Sequence, residues 1–236
     1  MKVGEKILNN KILLVEDEEH IRKFIKVNLE RENFIVREAD SGEKGLEIIR
    51  GENIDVVVLD IMLPGIDGFE VCKILRKEFP RVGIIMLTAK SQDIDKIMGL
   101  EYGTDDYMVK PFNPMELVLR VKSLLRRMET PTECHTNIIE DGPFKIDKYS
   151  RRFHKNDKNI ELTPTEYSII KLFIENPGKA FTRDEILNAV WGYDFVGEPK
   201  IVDVNIRRLR SKIEADSGNP DYIETVWGVG YRWRSN

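Results

Sequence analysis

The chain has 236 residues, 33% charged and 41% hydrophobic, with a formal net charge of −4. That length suits two domains, and that balance belongs to a soluble globular protein rather than a disordered or fibrous one. No run approaches the roughly 18 apolar residues of a membrane span, and Met1–Asn10 lacks a signal-peptide core, so no membrane association and a cytoplasmic location are expected.

Short apolar runs alternate with amphipathic patterns through the first half. Strands are predicted near 11–15, 34–38, 55–59, 84–88 and 107–110, and helices near 18–31, 43–50, 67–78, 92–102 and 114–127. Such β–α alternation predicts an α/β fold with a doubly wound, five-stranded parallel sheet. The unbroken run Val56-Val57-Val58-Leu59 fits a central strand buried on both faces. Near Met128 the period breaks. Residues 129–137 are polar and aperiodic, so they read as a linker between a first domain at 11–128 and a second at 138–236.

The second half opens with strand-like pieces at 138–140, 144–147, 152–155 and 159–162, separated by turn residues such as Asp141-Gly142 and Asn156-Asp157. Thr163 with Glu166, and Thr182 with Glu185, are capping boxes that open two helices. A third helix follows Pro199. Two last strand-like pieces, 223–227 and 231–234, flank Gly228-Val229-Gly230 as a hairpin. The order is that of an α+β domain: a small sheet, three helices and a terminal hairpin. The two cysteines, Cys72 and Cys134, form no C-x-x-C or Cys/His cluster, which argues against zinc.

Four of the first-half strands end in residues able to handle a phosphoryl group: Glu16 and Asp17, then Asp60, then Thr88, then Lys110. In an open parallel sheet, ligands bind outside the carboxyl ends of the strands, so these residues meet in one crevice. A carboxylate there can accept a phosphoryl group as an acyl phosphate, and Asp60 is the candidate nucleophile. The accompanying charge calls for a magnesium ion, with Asp17 and Asp60 as direct ligands and Glu16 acting directly or through water. Lys110 would pair with one phosphoryl oxygen and the Thr88 hydroxyl would bond another. Taken singly, each residue also fits a blander role. The acidic run at 16–19 suits a helix first turn, Asp60 a cap or turn, and Lys110 a solvated loop. Four such residues at four strand ends argue against coincidence.

The third helix of the second half concentrates charge. Between Lys200 and Lys212, five basic residues face one acid, Asp203. Helical spacing puts Val202, Ile206, Leu209 and Ile213 on a core stripe, with Lys200, Asp203, Val204, Arg207, Arg208 and Ser211 on the other side. A helix fits the major groove of DNA, where arginine reads guanine and other basic residues hold phosphates. Arg208 is the candidate for base reading, and Lys200 and Arg207 for phosphates. The competing reading is a solvated basic face.

Taken together, Ile12-Leu13-Leu14-Val15-Glu16-Asp17-Glu18, Asp60-Ile61-Met62-Leu63-Pro64-Gly65-Ile66-Asp67-Gly68, Leu87-Thr88-Ala89 and Asp105-Asp106-Tyr107-Met108-Val109-Lys110-Pro111-Phe112 resemble the receiver domain of two-component response regulators. The second half resembles the winged-helix effector of the OmpR/PhoB subfamily. The likeness covers 11–127 and 138–235. It implies a flavodoxin-like receiver and a DNA-binding transcriptional regulator. Asp60 would take phosphate from a phosphohistidine on a sensor kinase, and Glu16, Asp17, Asp60 and the Met62 backbone carbonyl would organise magnesium. Thr88 and Tyr107 would form a switch pair, the Lys110–Pro111 bond would be cis, and Gly68 would relieve crowding behind Asp60.

The resemblance also implies a symmetric dimer on phosphorylation, paired across its axis by Lys96 with Glu116, Asp106 with Arg120, and Glu101 with Lys122. A solvated face is the plainer reading of those charges. Expected DNA contacts are Lys200, Asp203, Val204, Arg207, Arg208, Arg210 and, in the hairpin or wing, Arg232. Trp227 stands where some relatives carry arginine. Double-stranded promoter DNA with tandem half-sites, the kinase and RNA polymerase are the implied partners. A phosphotransferase of the haloacid-dehalogenase type wants a second acid two residues after the nucleophile, where this chain has Met62, so no turnover of outside substrates is expected. The intact set Asp17, Asp60, Thr88 and Lys110 argues against a vestigial receiver, and no Walker A motif suggests ATP hydrolysis.

Overall fold

The computed structural model describes residues 10–89, 102–129, 138–193, 195 and 198–234. Five strands rich in β-branched residues form the first sheet: β1 (Lys11–Val15), β2 (Ile35–Ala39), β3 (Val56–Asp60), β4 (Gly83–Thr88) and β5 (Asp106–Val109). All pair in parallel, in the order β2-β1-β3-β4-β5. The order reverses between β1 and β3, which opens a crevice above their carboxyl ends.

Alternation along the strands divides the core in two. Ile12, Leu14, Val56, Val58, Ile85 and Leu87 pack with Ile25 and Leu29 of α1 (Glu19–Arg31) and with Val118 and Val121 of α4 (Pro114–Met128). Leu13, Val15, Val57, Leu59, Ile84 and Met86 pack with α2 (Gly42–Gly51) and α3 (Gly68–Glu78) on the other face. The inner strands β1, β3 and β4 are thereby buried on both sides, as the run at 56–59 predicts for β3. The helix predicted near 92–102 lies outside the described residues but for Tyr102, and the linker lies outside them but for Glu129.

The second half begins with a four-stranded antiparallel meander: β6 (Ile138–Asp141), β7 (Phe144–Asp147), β8 (Arg152–Lys155) and β9 (Lys158–Ile160). Helices α5 (Pro164–Ile174) and α6 (Arg183–Val190) start at the two predicted capping boxes. Thr163 and Thr182 accept from the backbone of Glu166 and Glu185, whose carboxylates accept in return. Then come α7 (Lys200–Ile213), β11 (Ile223–Val226) and β12 (Gly230–Trp233). A short strand that the sequence pattern does not reveal, β10 (Ala180–Thr182), pairs with β12 and completes a three-stranded sheet. Three residues are too few to show a period.

The second apolar layer of the first domain runs on into the core of the second. Polar contacts fix the join. The buried Asp105 carboxylate accepts from Arg76 Nη2 (2.6 Å) and Ile84 N–H (2.9 Å) through one oxygen, and from Thr165 N–H (3.0 Å) through the other. Thr165 lies in the first turn of α5, where backbone N–H groups have no helical partner, so a carboxylate from the first domain satisfies a helix of the second. Arg127 Nη1 donates to Thr165 Oγ1 (3.0 Å), and Ser123 Oγ donates to the Trp191 carbonyl. The Arg120 guanidinium lies 4.6 Å from the centre of the Phe195 ring.

Removing the Asp105 carboxylate strands a largely buried guanidinium. Asp105→Ala should therefore cost about 3–5 kcal/mol of stability, measured as the urea midpoint, with a smaller loss for Asp105→Asn. An Asp105→Ala chain as stable as the parent would show that the ion pair is dispensable.

Candidate functional site

The four strand ends meet as the topology requires. β1 delivers Glu16 and Asp17, β3 ends on Asp60, β4 ends on Thr88, and Lys110 follows β5. Lys110 Nζ stands 2.7 Å from Glu16 Oε2 and 2.7 Å from Asp60 Oδ2. Glu16, Asp60 and Thr88 are buried, whereas Asp17 is exposed. The Lys110–Pro111 peptide is cis. The Met62 N–H approaches Asp60 Oδ1 at 3.3 Å. A Cβ at Gly68 would fall 2.1 Å from the Asp60 carbonyl oxygen, so only glycine lets α3 start this close behind the carboxylate.

Arg22 enters the site unannounced by the sequence. From one turn into α1 its Nη1 donates to the carbonyls of Glu16 (2.6 Å) and Asp17 (3.1 Å), clamping the turn that carries both acids. A basic residue five positions beyond an acidic pair is too common in helices to stand out.

Carboxylate oxygens of Glu16, Asp17 and Asp60 all lie within 4.8 Å of one another. Three hard oxygen donors around one point suit a hard divalent cation. Burial pushes the Glu16 carboxyl up to about 7; the Lys110 hydrogen bond opposes that rise and the Asp60 charge adds to it. Burial works against the Lys110 ammonium, but its bonds to Asp60 and Glu16 win and raise it above its ordinary value.

Tyr107 is buried at the domain join. Its ring borders a cleft lined also by Phe195, Glu198 and Ile201 from the second half. Burial, with the Glu198 and Asp106 charges, pushes its phenol up to about 12.

Within the single chain, the described members of the charged set at the expected dimer face pair with one another or with α1's C-terminal end. Lys96 and Glu101 lie outside the described residues. Asp106 pairs with Arg120 inside one chain (2.8 Å), Arg120 also holds Glu116 (2.6 Å), and Lys122 holds Glu32 (2.6 Å). Nor is the face simply solvated, because Asp106 and Arg120 are buried. The second domain packs over them through Phe195.

On α7 the apolar stripe Val202, Ile206, Leu209 and Ile213 is buried as predicted. Lys200 and Arg207 are exposed, and Val204 is half-buried. Arg208 departs from expectation. It is 4% exposed, and its Nη1 donates to the Thr104 carbonyl of the first domain at 2.8 Å. The helical period correctly turns Arg208 away from its own core, but another domain covers it, so in this arrangement it cannot reach a base. Asp203 accepts from Arg183 Nε (2.7 Å) and the Tyr231 hydroxyl (2.8 Å), and Arg232 holds Glu224 (2.7 Å). Arg210 ties the helix to the hairpin through the Ile223 carbonyl (2.6 Å) and Thr225 Oγ1 (2.9 Å).

Comparison with known proteins gives two family matches: a response regulator receiver domain over residues 12–122 and the C-terminal domain of transcriptional regulatory proteins over 157–233. The alkaline phosphatase synthesis transcriptional regulatory protein PhoP of Bacillus subtilis is 44% identical over 234 residues, covering 95% of this chain and 97% of that one. The transcriptional regulatory protein SrrA of Staphylococcus aureus is 41% identical over 232 residues, covering 96% of each. Among solved structures, a mutant form of RitR superposes with a TM-score of 0.78 at 26% identity, over 96% of this chain and all of that one. The response regulator DrrB of Thermotoga maritima, an OmpR/PhoB homologue, gives 0.52 at 36% identity, over 97% of this chain and all of that one.

The Glu16 carboxyl rises from 4.5 to about 7 in the folded chain, so it contributes stability below the lower value that is lost as pH climbs through the higher. In chelator, the urea midpoint of the parent chain should fall between about pH 5 and pH 8 more steeply than that of Glu16→Gln. Parallel curves for the two proteins would remove Glu16 as the source.

Proposed function

The chain belongs to the two-component response regulators of the OmpR/PhoB type, a receiver joined to a DNA-binding transcriptional-regulatory domain, and we propose that phosphorylation of Asp60 by a sensor histidine kinase releases that domain onto promoter DNA. The observation that carries the reading is the Lys110 ammonium held between Glu16 and Asp60, with Asp17 beside them.

Glu16, Asp17, Asp60 and the Met62 carbonyl would hold magnesium, whose charge offsets the repulsion between a carboxylate and an incoming phosphoryl group. An Asp60 oxygen forms the bond to phosphorus as the bond from the kinase histidine nitrogen breaks, and that nitrogen leaves with the electron pair. Lys110 moves its hydrogen bond to a phosphoryl oxygen and the Thr88 hydroxyl takes another. The residues act on their own Asp60 and turn over no outside substrate.

Release follows from where the switch residue sits. Tyr107 borders the cleft that also holds Phe195 and Glu198, so turning its ring toward Thr88 takes one wall from the docking site. Undocking frees Arg208 for a base edge, with Lys200 and Arg207 on phosphates. It also uncovers Asp106 and Arg120, which with the already accessible Glu116 and Lys122 then pair with Lys96, Glu101 and their counterparts across a symmetric dimer. Two such domains suit tandem half-sites about 10–11 base pairs apart, from which the regulator would contact RNA polymerase.

Asp60→Asn should carry no phosphate after acetyl phosphate and magnesium treatment, read by intact-mass spectrometry, and its DNA affinity should stay at the unphosphorylated level. A full phosphate adduct on that variant would reassign the acceptor. Arg120→Glu should keep its phosphate yet fail to dimerise in sedimentation, because it reverses the charge that the dimer would set against Asp106 across its axis. An unchanged dimerisation constant would place the dimer on another surface.

A further inference from the structure

We propose that Arg22, which bonds to no carboxylate of the pocket, is a positioning residue for the divalent cation: by holding the turn after β1 it fixes where the Asp17 carboxylate stands. The proposal rests on the reading of the pocket as a cation and phosphoryl site, and gives that site a residue from outside it.

The three acids are held unequally. Lys110 Nζ bonds Glu16 and Asp60 at 2.7 Å each, and Glu16 Oε1 also accepts from the Glu18 N–H (3.4 Å). Asp17 is exposed, and among the described residues no hydrogen bond or ion pair reaches its carboxylate. Its place therefore depends on its backbone, and there Arg22 acts. Nη1 draws two successive carbonyls onto one nitrogen, those of Glu16 (2.6 Å) and Asp17 (3.1 Å). The Glu16 N–H donates in turn to the Ala39 carbonyl of β2 (3.1 Å). A turn tied from both α1 and β2 has little freedom left.

Electrostatics alone does not explain a guanidinium at this position. Arg22 is the fourth residue of α1, close to a helix N-terminus, where the macrodipole disfavours positive charge. Its side chain is only 16% exposed, so its charge is also largely out of water. Glu38 of β2 offsets that cost, with Oε1 3.7 Å from Arg22 Nε and its other oxygen accepting from Lys26. The guanidinium is thus anchored on one side and spends its inner nitrogen on the turn. Groups that orient metal ligands from behind typically carry roughly 10- to 100-fold of metal affinity.

Charge and position forecast opposite signs. A cation near the pocket repels magnesium, so removing one that acts by charge alone would tighten binding. Removing a positioning group loosens it. Titration calorimetry of the full chain with magnesium chloride, without phosphodonor, reads the sign. Arg22→Met keeps most of the stem and should bind magnesium about tenfold more weakly. With acetyl phosphate, its half-saturating magnesium concentration should rise by the same factor, while the rate at saturating magnesium stays parental. Asp17→Ala should show a comparable loss, and Arg22→Met should add little to it in the double variant, because both act through one carboxylate. Should the urea midpoint show Arg22→Met to be unfolded, Arg22→Lys takes its place. It keeps the charge on a shorter side chain without the planar fork, and should also bind magnesium more weakly. Parental or tighter affinity in the folded variant, or losses that add in the double variant, overturns the positioning role and leaves the cation site standing. A parent chain that takes up no magnesium overturns both readings together.

Discussion

One buried carboxylate governs how the two halves of this molecule meet. Asp105 accepts from a guanidinium on α3, a backbone N–H of β4 and a backbone N–H in the first turn of α5. A charge out of water is tolerated only when its acceptor sites are met and an opposite charge is near. Its three donors belong to three separate elements, so none moves without leaving that charge short. Asp105 immediately precedes β5, and Lys110 immediately follows it. A strand of four residues, about 13 Å long, thus carries the docking carboxylate at one end and the pocket ammonium at the other. Tyr107 lies between them. The chemistry and the interface are two ends of one rigid segment.

The join is held firmly but not completely. Asp106 Oδ2 and the Nε and Nη2 atoms of Arg127 are buried without a hydrogen-bond partner among the described residues. Burial also pulls the Arg127 guanidinium down to about 10, and raises the Asp106 carboxyl against the pull of Arg120. Unmet polar atoms oppose the apolar contact around them. Separating the domains would return them to water, which sets part of the cost of opening against a gain.

Much of this was legible in the sequence, and the unread part has common causes. Strand ends were readable because parallel strands buried on both faces appear as unbroken apolar runs, and whatever follows each run must lie in the crevice. The capping boxes at Thr163 and Thr182 were readable because they are local. The burial of Arg208 is not legible, because a helical period separates a helix's own core from everything else and is blind to a second domain. The same blindness made Asp106 and Arg120 look like surface charges. Arg76 and Asp105, 29 residues apart, meet because the last turns of α3 lie beside the N-terminal ends of β4 and β5, where Arg76 also reaches the Val82 carbonyl. The hairpin turn sits at 226–229, one residue before Gly228-Val229-Gly230, and two glycines obscure in the sequence which of them bends the chain.

Arg208 has a second consequence. If the side chain that holds α7 to the receiver also reads a base, recognition and restraint share one guanidinium. A substitution that altered the preferred promoter sequence would at the same time loosen the resting form, and the altered regulator would be active without its signal. Lineages that retune their targets at this position would have to rebuild the restraint elsewhere, for instance around Arg127 and Thr165. Divergence of binding sites among such proteins should therefore proceed more readily through Val204 and Arg207, which the receiver does not hold.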